Sequence, residues 1–229
     1  GKTMLYAISD LHGCYEKYVK MLEKIRFKES DTLYILGDVV DRGSSGINIL
    51  LDMMHKDNII PIMGNHDYTA CTLLKAFGQS DAKSSREKLR DAFELWLYDG
   101  GEPTYTAYRK LSAKQQKKVL AYLRSFLLYD EARAGGRNYF LAHTVPEKAR
   151  MLNFDTLFWQ EFIIGEPEYD KVYYKNKIIV TGHTPTKLID RSCNGRIFKR
   201  NNHLAIDCGA VYGGTLACVC LDTLEEFYV

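Results

Sequence analysis

The chain has 229 residues, 46% of them apolar, enough to bury a core of ordinary size; this excludes a disordered polymer and predicts one domain. Its 31 basic and 29 acidic side chains leave a net charge of +2, too small for the broad positive field of a protein that grips backbone phosphates, so no nucleic-acid partner is expected. No apolar run approaches the roughly 20 residues needed to cross a bilayer, and the opening run at 4–8 is too brief for a signal peptide, which points to a cytoplasmic protein with no membrane partner.

Gly1 stands where an initiator Met is expected and reads as a cloning remnant outside the fold argument. A β-rich run at 4–9 precedes an amphipathic helix at 15–27, and the cycle repeats at 32–36 with 44–56 and at 59–63 with 68–77. This βαβαβα alternation predicts a layered α/β domain with ligands beyond the carboxyl ends of the strands. From 79 to 129 the pattern turns polar and helical, with a helix at 86–98, a break at Gly100-Gly101 and a helix at 112–128 that starts at a capping Ser112. It reads as a helical insertion within the domain. Strand-like runs return at 139–142, 177–181, 204–206, 216–221 and 225–229, separated by turn residues such as Gly135-Gly136 and Gly213-Gly214. Cys14, Cys71, Cys193, Cys208, Cys218 and Cys220 read as reduced thiols, and Cys218 and Cys220 share one face of a strand, which suits packing better than half of a zinc site.

The first predicted strand ends in Asp10-Leu11-His12-Gly13, whose carboxylate and imidazole alternate and can converge on one divalent transition metal. The second ends in Gly37-Asp38-Val39-Val40-Asp41-Arg42-Gly43 and the third in Gly64-Asn65-His66-Asp67. Taken singly, Asp10, Asp41 or Asn65 could simply cap the helix that follows. Three polar clusters at successive strand ends, two of them with a histidine, favour a shared site instead. His143 after the run 139–142 and Gly182-His183-Thr184-Pro185 after 178–181 repeat the pattern, whereas His55, at a polar helix end, and His203, in an Asn-rich turn, are expected in solvent and outside the site.

In that order the motifs resemble the phosphoprotein phosphatase branch of the metallophosphoesterases, and the second Asp and the Arg of the 37–43 motif narrow the resemblance to Ser/Thr protein phosphatases and diadenosine tetraphosphatases, in particular their small bacterial and phage members. The resemblance implies a four-layer α/β/β/α sandwich of two mixed sheets. It implies two divalent metal ions, with Asp10 and His12 on one, Asp38 bridging both, and Asn65, His143 and His183 completing the second. His66 would be the general acid, Asp41 its orienting partner and Arg42 the phosphate clamp. Manganese is the expected metal in vitro, and iron, zinc or cobalt also suit such a mixed N/O set.

Two positions depart from the branch. Asp67 stands where eukaryotic members usually have Glu, a change expected to matter little, and Glu161, in Leu157-Phe158-Trp159-Gln160-Glu161, stands where bacterial relatives usually carry a second phosphate-binding Arg. Either Lys187 or Arg191 supplies that cation, or the phosphate is held with less help and is repelled by Glu161. Asp207 either orients a metal-ligating histidine or caps a turn, and Cys14 is left out of the site as a small packed residue. The expected activity is a two-metal phosphatase using a metal-activated hydroxide on phosphoserine or phosphothreonine, with diadenosine tetraphosphate hydrolysis as the alternative. An inactive metal-binding scaffold is the remote alternative, since His66, Asp41 and Arg42 are not needed to bind metal. The partner is accordingly a phosphoprotein or a phosphorylated small molecule.

Overall fold

The computed structural model describes residues 3–78 and 86–229, so Gly1 and the 79–85 start of the expected helical insertion lie outside the described residues. The early alternation builds β1 (Leu5–Ile8), α1 (Tyr15–Lys24), β2 (Thr32–Ile35), α2 (Gly46–Met53), β3 (Ile59–Pro61) and α3 (Asn65–Leu73). Crossover helices return each strand parallel to its predecessor, with Leu5 opposite Thr32 and Leu33 opposite Ile59. The polar helical stretch holds α4 (Arg86–Trp96), α5 (Glu102–Arg109) and α6 (Ala113–Arg124). The remaining elements are β4 (Tyr129–Ala134), β5 (Arg137–Ala142), α7 (Lys148–Met151), α8 (Glu161–Ile164), β6 (Ile178–Thr181), α9 (Thr186–Ile189), β7 (Phe198–Arg200), β8 (His203–Ala205), β9 (Ala217–Cys220) and β10 (Glu226–Tyr228).

Among the described residues two mixed five-stranded sheets result, ordered β10-β9-β1-β2-β3 and β4-β5-β6-β8-β7. The period-2 alternation of each strand divides its side chains between two layers. In β5, Tyr139 and Leu141 enter the core between the sheets with Ala7, Tyr34, Val180 and Val219, while Phe140 and Ala142 face Met151 and Phe162 on the outer side. In β1, Ile8 turns the other way, onto a core it shares with Tyr18 and Met21 of α1 and Leu50 of α2. Each such large aliphatic or aromatic side chain contributes about 1.5–3 kcal/mol by burial. The product is the α/β/β/α sandwich that the resemblance implied. Among the described residues no helix is long and apolar enough to cross a membrane.

The six cysteines are free, and Cys218 and Cys220 sit buried together on the face of β9 that packs toward α1. The helix expected at 112–128 ends at Arg124, with Ser125 as its cap. Sequence reading misses β4, β7, α5 and the short helices α7, α8 and α9. β4 is an edge strand with charged residues at Asp130, Glu131 and Arg133, and α5 begins directly after the kink at Gly100 (φ +107°) with Pro103 in its first turn.

His203 is a correction. Asn201 and Asn202 adopt φ of +57° and +54°, the paired left-handed geometry of a tight hairpin, so the turn ends before His203 and the histidine becomes the first residue of β8. It is buried, its Nε2 lies 2.7 Å from Thr181 Oγ1, and burial pulls its pKa down to about 4. His55 is exposed, as expected.

Candidate metal and phosphate site

Asp10 and His12 follow β1, Asp38 follows β2, and Asn65 and His66 open α3 after β3; from the second sheet, His143 follows β5 and His183 follows β6. The carboxyl ends of five strands thus deliver every predicted site residue to one place. Backbone bonds tie these loops together: His12 N–H donates to the Asp38 carbonyl (2.9 Å), Gly43 N–H to that of His12 (2.8 Å) and Gly182 N–H to that of His143 (2.9 Å). Asp10, His12, Asp38, Asp41, Arg42 and His183 all lie in the left-handed region, with φ from +39° to +75°. Such conformations cost free energy and persist where packing over-determines them, typically at functional sites. Gly64 is required by proximity, because a Cβ there would lie 2.2 Å from Asp38 Oδ1.

Among the described residues two groups of donor atoms form, Asp10 with His12 and Asp38, and Asp38 with His143 and His183. Asp38 belongs to both. Its Oδ1 accepts the His66 N–H at 2.9 Å, while Oδ2 lies 3.6 Å from His12 Nε2 and 3.3 Å from His143 Nε2. Asp10 is divided similarly: Oδ2 accepts the His183 N–H and a bond from Ser9 Oγ, and Oδ1 is buried with no hydrogen-bond partner. His12 and His143 turn Nδ1 toward the carbonyls of Val40 (3.0 Å) and Leu36 (2.6 Å), which fixes the tautomer that leaves the Nε2 lone pair available to a metal ion. Asn65 Oδ1 and His183 Nδ1 each approach His143 Nε2 to 3.1 Å. Burial would raise the Asp38 carboxyl, but His143 and His12 hold it well below the usual range, and His143 is in turn pushed up to about 10 because Asp38 outweighs its own burial. A site that draws a proton this strongly also favours a divalent cation in its place. The orphaned Asp10 oxygen, the shared Asp38 oxygen and the mixed N/O set fit two such ions.

His66 Nδ1 lies 2.8 Å from Asp41 Oδ2. Burial would lower the pKa of His66, yet the hydrogen bond to Asp41 and the charges of Asp38 and Asp41 raise it above the ordinary histidine value, which favours the acid form. Arg42 reaches across the opening, with Nη1 3.4 Å from His12 Nε2, Nη2 3.6 Å from Asp99, and its guanidinium 5.5 Å from the ring centre of Tyr212. Trp96, Asp99 and Thr104, all close to Asp41 or Arg42, escaped sequence reading. The available signal was a lone tryptophan in a polar helix, whose N–H must find a partner if buried.

The sequence profile of the calcineurin-like phosphoesterases matches residues 4–214. The chain belongs to this family. The family uses a binuclear divalent metal centre, and the Asp and His groups of this chain stand where they could bind such ions. A symmetrical bis(5'-nucleosyl)-tetraphosphatase of Nitrosospira multiformis is 30% identical over 90 residues, 38% of this chain and 33% of that protein. The chain thus spans about a third of the length of the symmetrical relatives it matches. The asymmetrical bis(5'-nucleosyl)-tetraphosphatase PrpE of Geobacillus sp. (strain WCH70) is 24% identical across 97% of this chain and 92% of its own. A crystal structure of a protein provisionally called a diadenosine tetraphosphatase superposes with a TM-score of 0.69 at 18% identity, covering 99% of this chain and 93% of the other; at that identity it speaks for the fold.

In this calcineurin-like phosphoesterase Asp67 is buried and does more than replace a Glu. It accepts the N–H groups of Asp38 (2.7 Å), Val39 (2.9 Å) and Gly64 (3.0 Å), pinning the second and third motifs to each other. Glu161 is a correction to the expected repulsion of phosphate. Its carboxylate is held by Arg150 through two bonds of 2.9 and 2.8 Å and by the Phe158 N–H at 2.7 Å, so its charge is already matched. Lys187 is exposed on α9, in the wall of a cavity of about 200 Å³ that Tyr212 also lines, and Arg191 is exposed beyond it. Asp207 caps a turn, its Oδ1 accepting the Gly209 N–H at 3.0 Å, and burial beside Asp10 pushes its carboxyl well above the usual range.

Proposed function

We propose that this phosphoesterase hydrolyses dinucleoside tetraphosphates, with Asp10 and His12 on one metal ion, Asn65, His143 and His183 on the other, and Asp38 shared. The carrying observation is the single Asp38 oxygen, 3.6 Å from His12 Nε2 and 3.3 Å from His143 Nε2. Two divalent ions held there would supply an acidified water as nucleophile and would offset charge on the phosphoryl oxygens. Asp38 Oδ1 and Asp10 Oδ2 are anchored by backbone N–H groups, so the remaining oxygens are aimed before any ligand arrives. With its Nδ1 proton donated to Asp41, His66 keeps Nε2 for the proton that goes to the leaving oxygen. Arg42 grips a non-bridging phosphate oxygen.

A dinucleotide is preferred to a phosphoprotein because of the similarity to both kinds of nucleosyl tetraphosphatase, and asymmetric cleavage is preferred because that similarity runs nearly end to end. The test is a panel with Mn²⁺ comparing diadenosine tetraphosphate, a phosphoserine peptide and p-nitrophenyl phosphate. The dinucleotide should have the highest kcat/KM and yield ATP and AMP. A phosphopeptide in first place would restore the phosphoprotein reading, and two ADP per turnover would make the cleavage symmetrical. Elemental analysis of the loaded enzyme identifies the metals.

A further inference from the structure

We propose that Trp96 and Thr104, brought in by α4 and α5, are positioning residues that aim the Asp41–His66 pair at the leaving group; the inference rests on the general-acid role given to His66 above. Asp41 is fully buried, so its carboxylate must find its partners within the protein. Oδ2 accepts His66 Nδ1–H and Trp96 Nε1–H, each at 2.8 Å, and Oδ1 accepts the Thr104 hydroxyl at 2.8 Å. Thr104 Oγ1 in turn accepts the Asp41 N–H at 3.0 Å, so one side chain holds both ends of the aspartate. Trp96 and Thr104 are themselves only 3% and 2% exposed, which makes these contacts permanent parts of the interior.

The geometry gives each donor a task. Asp41 and Arg42 are consecutive residues at φ +75° and +73°, a backbone that needs outside support, and the Arg42 N–H receives it from the Gly100 carbonyl at 2.8 Å. A carboxylate with one partner can rotate about its Cβ–Cγ bond and carry that partner along. Here the indole and the hydroxyl, on different oxygens, fix the plane, and the imidazole takes the remaining lone pair in a set direction. A phenylalanine at position 96 would keep an aromatic ring near Gly101, which packs on Trp96, while losing the N–H and part of the indole's volume. Proton transfer is sensitive to such aim, with about 1 Å of misplacement capable of costing about 100-fold.

The test uses the full chain loaded with Mn²⁺ and two aryl esters, phenyl phosphate with a poor leaving group and p-nitrophenyl phosphate with a good one. Trp96→Phe should lower kcat on phenyl phosphate by about ten-fold, and on p-nitrophenyl phosphate by less, with KM and bound metal unchanged. Thr104→Val should behave alike, while Thr104→Ser, which keeps the hydroxyl, should stay near the parent enzyme. In a His66→Asn background Trp96→Phe should cause no further loss, because a residue acting through His66 has nothing left to aim. The inference is overturned if Trp96→Phe keeps full kcat, if its loss is the same in the His66→Asn background, or if the loss tracks metal content. Should Trp96→Phe fail to fold, equal rates for Thr104→Val and Thr104→Ser overturn it. His66→Asn alone separates the two claims, since full kcat in that variant would reject the general-acid role itself.

Discussion

A histidine acts as a general acid when one ring nitrogen is held and the other is free, and at His66 the held one is Nδ1, on Asp41. His66→Asn should therefore retain both metal ions and lose kcat by roughly 10²–10⁴-fold on phenyl phosphate. The loss should shrink on p-nitrophenyl phosphate, whose leaving group needs little protonation; equal losses would make His66 a positioning residue. His203 gives a prediction on stability. Its folded pKa of about 4 lies below the ordinary histidine value, so the neutral form is the one the fold accepts. Above about pH 6.5 neither state is protonated and nothing is gained or lost; as pH falls from there toward about 4, the unfolded chain takes up a proton that the folded chain refuses, and stability declines. His203→Gln should reduce the drop in unfolding free energy between pH 7 and pH 5 by on the order of 2 kcal/mol, measured by urea titration at both values. An unaltered drop would mean that other groups carry the acid sensitivity. The two histidines also mark what could be read from sequence. His66 sits in a local motif whose neighbours announce it, whereas the burial of His203 depends on where a two-residue turn ends and on rings that come from Tyr169 and Phe198.

Among the elements, β1 through α3 were legible because hydrophobic period and turn residues agree there. β4 was not, since an edge strand can carry charge on both faces and so shows no apolar alternation. The support that α4 and α5 give Asp41 was also hidden, because those contacts span 55 and 63 residues of sequence. Glu161, the first residue of α8, shows the cost of aligning a short segment by residue type alone. Its place matched that of an expected cation, yet the carboxylate is spent on Arg150, which comes from α7. Glu161→Arg should thus leave two guanidinium groups facing each other and lower Tm by a few degrees. The KM for an aryl phosphate and the Ki of inorganic phosphate should not change. A lower KM with tighter phosphate inhibition would place position 161 at the phosphate after all.

At the scale of the whole molecule the candidate ligands come from both halves of the sandwich: Asp10, His12, Asp38 and Asn65 follow strands of the first sheet, and His143 and His183 follow strands of the second. Bound ions would link the two sheets at one end, and ions that bind the folded chain alone stabilise it by mass action, about 2.7 kcal/mol for a free concentration 100 times Kd. At about 2–4 °C per kcal/mol for a domain of this size, chelation with EDTA should lower Tm by roughly 5–10 °C relative to the Mn²⁺-loaded protein. Asp38→Asn isolates the cause, because Asp38 joins the two donor groups while its backbone N–H bond to Asp67 does not depend on its own side chain. In that variant bound metal and turnover should fall together, and the EDTA-induced shift should shrink toward zero. If Asp38→Asn instead keeps two equivalents of metal by elemental analysis and the full shift on chelation, Asp38 is not the shared ligand, and the sheets are joined through the remaining donors alone.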